Sequence, residues 1–215
     1  MPDRDIRELD RRAVDRSVDV VSRIRPKDLA LPTPCEGWTV RDLLAHMTVQ
    51  HRGFAAAAEG RGADPGVWQV TPTAGGASAT CVGTSATDEL VREYRRSAER
   101  VTAAFAAADV VRDRFALAEF GAGAVFPAMQ AISFHFIDYL VHAWDVARSI
   151  DEEYRPDEDL LAPALTITLA VPTGDARTKT GAAFRPELSA DPGADPWAQI
   201  LGLLGRPPDW ALSTR

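Results

Sequence analysis

Apolar residues recur every three or four positions along most of this chain, which is the period of an amphipathic α-helix. The first such stretch covers residues 4–24. Further stretches run from Thr39 to about Ala58, from near Ser85 or Thr87 onward, from Pro127 to about Ile150, from about Asp157 to Val171, and over residues 196–204. The strong period-two alternation typical of strands is absent. The pattern therefore predicts an all-α fold in which four long helices form a bundle.

Segments rich in proline and glycine separate the predicted helices. The stretch "RDRFALAEFGAGAVF" predicts a connection with short extended pieces, and residues 60–85, rich in Gly, Ala and Thr, predict a long loop. Long loops in compact domains are usually functional or disordered, and a functional loop here is expected to shape or cover a pocket. We divide the chain into a bundle over residues 1–150 and a short irregular and helical C-terminal extension over residues 151–215, packed on the bundle.

The stretch "GWTVRDLLAHM" carries the start signals of the second helix. Thr39 and Asp42 have the spacing of a capping box, and Trp38 and Leu43 have the spacing of a hydrophobic staple. His46 lies beside Leu43 on the face expected to point inward. A histidine at such a position is more often a hydrogen-bonded core residue than a ligand. On this stretch alone both interpretations stay open.

The fourth helix places four ionisable residues on one stripe of an otherwise apolar surface. In "SFHFIDYLVHAWDVARS", His135, Asp138, His142 and Asp145 fall within an arc of roughly 80°. The i, i+4 pair Asp138 and His142 can converge on one point, and His46 can add a third ligand from a facing helix. Two histidines and one carboxylate with an open position form a catalytic type of zinc site, or a facial site for another divalent metal. The alternative is a solvated helix face with an Asp–His ion pair.

The sequence also predicts positions for three other polar residues of these two helices. His135 lies about 10.5 Å along the helix from His142, too far to share one metal, so we expect it next to the ligands or in the pocket. Asp145 either orients a ligand histidine or pairs with Arg41, and we favour the ion pair. His51 lies about 140° around its helix from His46, which favours a surface position.

Three further residues have ordinary structural interpretations. Cys35 is expected to be a small buried hydrophobic residue, in preference to a ligand or nucleophile. Trp38 and Trp144 are expected to be core aromatics.

Composition and charge narrow the class of protein. The formal net charge of -7 disfavours nucleic acid and anionic membranes as partners. No window is apolar for the length of a membrane span, and the N-terminal "MPDRDIRELDRR" lacks the apolar core of a signal peptide. The two cysteines, Cys35 and Cys81, form no CxxC pair and suit a reducing compartment. We expect a cytoplasmic protein, a monomer or a homodimer, that acts on a small molecule.

Three segments resemble a known family. "LPTPCEGWTVRDLLAHM", "VHAWDVARS" and "LGLLGRPPDW" are similar to signature segments of the DinB-like helical bundle family, in the actinobacterial branch that includes the N-terminal domain of mycothiol-dependent maleylpyruvate isomerase. The resemblance implies a four-helix bundle that binds a divalent metal, zinc first and nickel second, through His46, Asp138 and His142. It also implies mycothiol as a co-substrate. Many members carry His or Glu where this chain has Asp138, and the shorter side chain would draw the metal closer to its helix or bind it more weakly.

Three hypotheses for function follow. The first is a metal- and thiol-dependent isomerase or S-transferase that acts on a small electrophile. In that case Arg41, Arg52 or Arg148 could attract an anionic thiol or substrate. The second is a metal-dependent hydrolase with water as the nucleophile. The third is a metal-binding or dimerisation bundle without catalysis. About 65 residues follow the bundle, too few to assume the added C-terminal domain of the isomerase, so we do not expect maleylpyruvate itself to be the substrate.

Overall fold

Helices dominate the computed structural model, which describes residues 5–69, 84–109, 111–178, 184–189 and 193–212. Within these ranges the α-helices are α1 (Ile6–Val21), α2 (Val40–Ala58), α3 (Thr84–Ala107), α4 (Ala128–Ser149), α5 (Glu158–Leu169) and α6 (Pro196–Leu203). Two short strands, β1 (Arg114–Ala116) and β2 (Val125–Pro127), form the one sheet found among the described residues. Short 3-10 helices cover Pro26–Ala30, Pro65–Trp68, Ala118–Phe120 and Gly174–Arg177.

The first four helices pack on one another as a bundle. Helix α1 contacts α3 and α4, and α2 contacts the same two neighbours. Each helix buries an apolar stripe between them, with Leu9, Leu43, Val101, Ile132 and Leu140 all at most 4% exposed. The predicted all-α bundle with a C-terminal extension is therefore confirmed.

At the start of α2 the predicted capping box is present, but the residue just before the cap is not placed as predicted. The Thr39 hydroxyl accepts from the Asp42 N–H, and the Asp42 carboxylate accepts from the Thr39 N–H, which confirms the capping box. Trp144 is buried as predicted, but Trp38 is 37% exposed, so its prediction as a core aromatic was wrong. Its ring lies against His46 instead, with centroids 4.9 Å apart.

The connection between α3 and α4 is a small antiparallel hairpin. Its register pairs Phe115 with Phe126, and the 3-10 helix Ala118–Phe120 lies between the two strands. Gly121 ends this turn at a φ of 122°, which a side chain would disfavour. The short extended pieces predicted here are present. Of the predicted loop over residues 60–85, only residues 60–69 and the start of α3 are described, and Cys81 lies outside the described residues.

The C-terminal segment packs near the end of α4. Helix α5 contacts α4 and α6, and it buries Leu160, Leu161 and Ala164. Arg148 of α4 donates to the carbonyl of Trp210 at 2.7 and 3.0 Å. None of the described helices combines the length and apolar character that crossing a bilayer requires.

Candidate metal centre

His46, Asp138 and His142 come together between α2 and α4. One potential ligand atom from each lies within 4.8 Å of the others. His142 Nε2 lies 3.3 Å from Asp138 Oδ1, and the rings of His46 and His142 meet edge to face at 5.3 Å. The i, i+4 spacing on α4 aims its two side chains at one point, and α2 supplies the third from the facing surface.

The centre is open on one side. His142 is only 4% exposed, whereas His46 and Asp138 are half-buried. The half-exposed Trp38 ring borders His46 on this open side. Three protein ligands with access for a small molecule is the arrangement typical of catalytic metal sites, whereas structural zinc sites are closed by four.

Asp145 and Arg206 support the His142 ring on its Nδ1 side. His142 Nδ1 donates to Asp145 Oδ2 at 2.9 Å, which directs Nε2 toward Asp138 and His46. Asp145 is fully buried and accepts from Arg206 at 3.0 and 3.4 Å. Burial raises the pKa of the Asp145 carboxyl, but Arg206 and His142 outweigh it and keep the pKa low. The orienting role of Asp145 is therefore present, but its ion-pair partner is Arg206, and the predicted pairing with Arg41 was wrong.

Cys35 completes this supporting group. Its Sγ lies 3.3 Å from both Asp145 Oδ2 and Arg206 Nη2, and 4.0 Å from His142 Nδ1. Cys35 is half-buried and hydrogen-bonded, so it is more than the small apolar filler expected from the sequence. Cys35, His142 and Asp145 could by distance hold an ion themselves. The guanidinium already in contact with the thiol and the carboxylate would repel a cation there, so we assign these residues to the support of His142.

Protonation at the centre is set by burial and by the Asp138–His142 pair. Burial opposes ionisation of Asp138, but the charge and hydrogen bond of His142 outweigh it and lower the pKa of the carboxyl. Burial likewise lowers the pKa of His142, while Asp138, Asp145 and Cys35 together raise it well above its usual value. Burial, followed by the positive charge of His142, lowers the pKa of His46 to about 4. Without a metal ion, His142 therefore carries a proton, and a metal ion that binds there would displace it.

The other two histidines form a separate polar cluster in the bundle core. His51 is 0% exposed, so the predicted surface position was wrong. It hydrogen-bonds to His135 at 3.2 Å, and His135 hydrogen-bonds to Asp10 at 2.6 Å. These bonds tie His135 to α1 and α2. Sequence patterns missed the cluster because α2 packs against both α3 and α4, which buries more than one of its faces.

Of the arginines expected near the centre, two are engaged elsewhere. Arg52 forms an ion pair with Glu93, and Arg148 donates to Trp210. Among the described residues, Arg206 is a cation that reaches the support of the centre, and it lies in "LGLLGRPPDW" beyond the bundle. Its role could not be found by spacing, because 61 residues separate it from Asp145.

Comparison with known proteins agrees with this architecture. The uncharacterized proteins Rv0738 (strain ATCC 25618 / H37Rv) and MT0763 (strain CDC 1551 / Oshkosh) of Mycobacterium tuberculosis are each 27% identical over 195 residues, covering 91% of this chain and 94% of theirs. No solved structure gave a significant match. The family model of the mycothiol maleylpyruvate isomerase N-terminal domain matches residues 11–147, a range that includes all three candidate ligands. The chain therefore belongs to the mycothiol maleylpyruvate isomerase N-terminal domain family.

Proposed function

We propose that this chain is a metal-dependent enzyme that activates a low-molecular-weight thiol, with His46, Asp138 and His142 as the metal ligands. The observation that carries the proposal is the convergence of the three ligand atoms from two facing helices. Two imidazoles and a carboxylate suit a divalent transition metal better than Mg²⁺ or Ca²⁺, which prefer oxygen ligands. Zinc is the ion we favour, with nickel as the second candidate.

The surrounding side chains prepare the three proposed ligands for metal binding. Asp145 accepts from His142 Nδ1, so Nε2 is the nitrogen that would bind the metal once the metal displaces its proton. Arg206 neutralises Asp145, so the carboxylate can remain ionised although it is buried. His46 and Asp138 are only partly buried, so we place the substrate on their side of the centre. A divalent metal held there would supply what these side chains lack, which is a strong lowering of the pKa of a bound thiol.

The thiol that we propose is mycothiol, and the reaction is its addition to an electrophilic carbon of a small molecule. The family to which the chain belongs supports this choice of thiol. Sulfur forms a bond to carbon while the π electrons of the electrophile move away from it. Loss of the thiol after rotation about the new single bond gives isomerisation, and retention of the thiol gives S-transfer.

A turnover assay tests the proposal. Protein purified without chelator and loaded with Zn²⁺ is mixed with mycothiol and a panel of α,β-unsaturated carbonyl compounds, with metal-free protein as the control. We expect thiol-dependent isomerisation or conjugation by the loaded protein alone. If the loaded protein ignores the thiol but hydrolyses esters or amides, the hydrolase hypothesis replaces this one. If both forms are inert and Zn²⁺ binding leaves no position for a thiol, the chain is a metal-binding module.

A further inference from the structure

The open side of the metal centre continues along α2 and α4 beyond the three ligands. His46 meets His142, and His51 meets His135, so α2 and α4 run antiparallel along this face. Gln50 therefore lies one turn beyond His46, about 6 Å along α2. Phe134 lies one turn before Asp138 on α4 by the same spacing. The 3-10 helix Ala118–Phe120 reaches both of these residues.

Glu119 of this 3-10 helix places a carboxylate at the edge of the centre. Its Oε2 accepts from the amide of Gln50 at 2.7 Å, and Gln50 itself is only 9% exposed. The negative charge of Asp138 adds to the effects that raise the pKa of the Glu119 carboxyl. Glu119 is nevertheless accessible to solvent, as a group that meets a substrate must be.

Phe120, the next residue, opens an aromatic surface beside this carboxylate. Its ring packs on Phe126 at 5.4 Å and on Phe134 at 5.5 Å, and the latter two rings are 5.2 Å apart. Phe120 is 50% exposed. Exposed apolar side chains that cluster next to a polar site are typical of ligand-binding surfaces.

We propose that the 3-10 helix Ala118–Phe120 is the substrate-binding wall of the metal centre, with Glu119 as its acid–base group and Phe120, Phe126 and Phe134 as the surface for a flat apolar substituent. This inference rests on the proposed thiol addition. It names the substrate class as an α,β-unsaturated carbonyl compound whose double bond carries an aryl or similarly flat group.

The proton balance of the addition assigns the role of Glu119. As sulfur bonds to the β-carbon, the π pair of the C=C bond moves to the α-carbon and carbonyl, and protonated Glu119 donates its proton to the α-carbon. The resulting carboxylate then takes the proton that the next thiol gives up on becoming a thiolate. The sum is addition of one thiol across one double bond, without an oxidant or reductant.

The environment of Glu119 suits this exchange. Protein atoms crowd its carboxyl and raise its pKa to about 7, with the Gln50 hydrogen bond opposing and the Asp138 charge adding to the effect. Both protonation states are then available near neutral pH, which is the condition for efficient acid–base catalysis. Among the described residues, the groups identified as acting on this carboxyl are Gln50 on α2, which is neutral, and Asp138 on α4.

Titration of the carboxyl tests the first half of the proposal without metal or thiol. In protein labelled with ¹³C at glutamate side-chain carboxyls, the resonance lost in Glu119→Gln should titrate near pH 7, and Zn²⁺ should lower that midpoint because the cation offsets Asp138. Titration of Glu119 together with the surface glutamates, near pH 4.5, would overturn the proposal. Because this readout needs no turnover, it stands apart from any failure of the thiol chemistry.

Variants test the wall itself. Glu119→Gln should keep its Zn²⁺ stoichiometry yet lose about 10²-fold or more of the thiol-addition rate, together with the ionisation near pH 7 in the rate profile. Glu158→Gln, at a side chain 80% exposed on α5, is the matched control. Phe120→Ala should weaken binding of benzylideneacetone about tenfold and leave methyl vinyl ketone unaffected, with Leu169→Ala as the control. Unchanged rates in Glu119→Gln, or equal losses for both ketones, would overturn the assignment.

Discussion

The guanidinium of Arg206 lies against the carboxylate of Asp145, with Nη2 3.0 Å from Oδ2 and Nε 3.4 Å from Oδ1. Both side chains are buried, at 4% and 0% exposure. Asp145 in turn accepts from His142, so a residue of the C-terminal extension acts on a candidate metal ligand through one intermediate carboxylate. The extension thus contributes to the geometry of the centre as well as to the core.

Removal of this guanidinium should harm both stability and metal binding. Arg206→Ala leaves the Asp145 carboxylate buried without its cation, which we expect to lower the free energy of unfolding by about 3–5 kcal/mol. A freed His142 ring should also weaken Zn²⁺ binding about 10- to 100-fold. Urea unfolding and competitive Zn²⁺ titration measure the two effects. Arg112→Ala, at a side chain 86% exposed, is the control, and equal behaviour of the two variants would contradict this role of Arg206.

The two histidine clusters should respond differently to truncation. His142→Ala removes a proposed ligand and should abolish stoichiometric Zn²⁺ binding. His51→Ala should retain one Zn²⁺ per chain and instead lower stability by about 2–4 kcal/mol, because it opens a cavity beside the stacked Tyr139 ring. Metal analysis after gel filtration separates these outcomes. Loss of zinc from both variants to the same extent would show that the centre is placed wrongly.

Metal binding should be coupled to proton release. Because the pKa of His142 lies well above its ordinary value in the metal-free protein, this imidazole is protonated at pH 7, and a metal ion must displace that proton. We expect about one proton released per Zn²⁺, and an affinity that falls as the pH falls. Calorimetry in buffers of different ionisation enthalpy measures the proton count. A binding enthalpy independent of the buffer would contradict the protonated pair.

Burial of His51 predicts a separate dependence of stability on pH. Its pKa is well below the usual 6.5, because burial and, to a smaller degree, His135 oppose its charge. Below about pH 6.5 the unfolded chain binds a proton at this position that the folded chain excludes, so the stability contributed by neutral His51 is lost as pH falls, by up to about 1.4 kcal/mol per pH unit. His51→Phe lacks this term. Urea unfolding from pH 7 to 5 should therefore show wild type losing stability faster than the variant, and parallel curves would contradict the assignment.

Local sequence signals were enough to predict the helices and the parts of α2 and α4 that form the centre. The capping box at Thr39 defined the start of α2, and the i, i+4 spacing of Asp138 and His142 selected one face of α4. Both signals depend on the geometry of a single helix, so they need no knowledge of how helices pack. Combined with the inward face expected for His46, they predicted a three-residue site, and the structure brings the three side chains together.

What the sequence could not predict depends on tertiary contacts. Arg206 reaches Asp145 from the far end of the chain, and Glu119 meets Gln50 across 69 residues. The surface position expected for His51 failed because a helical wheel describes one helix and cannot show that neighbours cover two of its faces. Trp38 was likewise predicted to be a core residue because of its apolar character, although its ring borders the open side of the centre.

Cobalt spectroscopy with a thiol titration tests the central claim most directly, since Co²⁺ occupies zinc sites and reports its ligands optically. Metal-free wild-type protein should bind one Co²⁺ without a sulfur-to-cobalt charge-transfer band, because Cys35 is engaged with Arg206 and Asp145. Addition of mycothiol should then produce that band, and His142→Ala should give neither signal. Absence of Co²⁺ binding by folded wild-type protein, or bound Co²⁺ that never acquires a thiol ligand, would contradict the account.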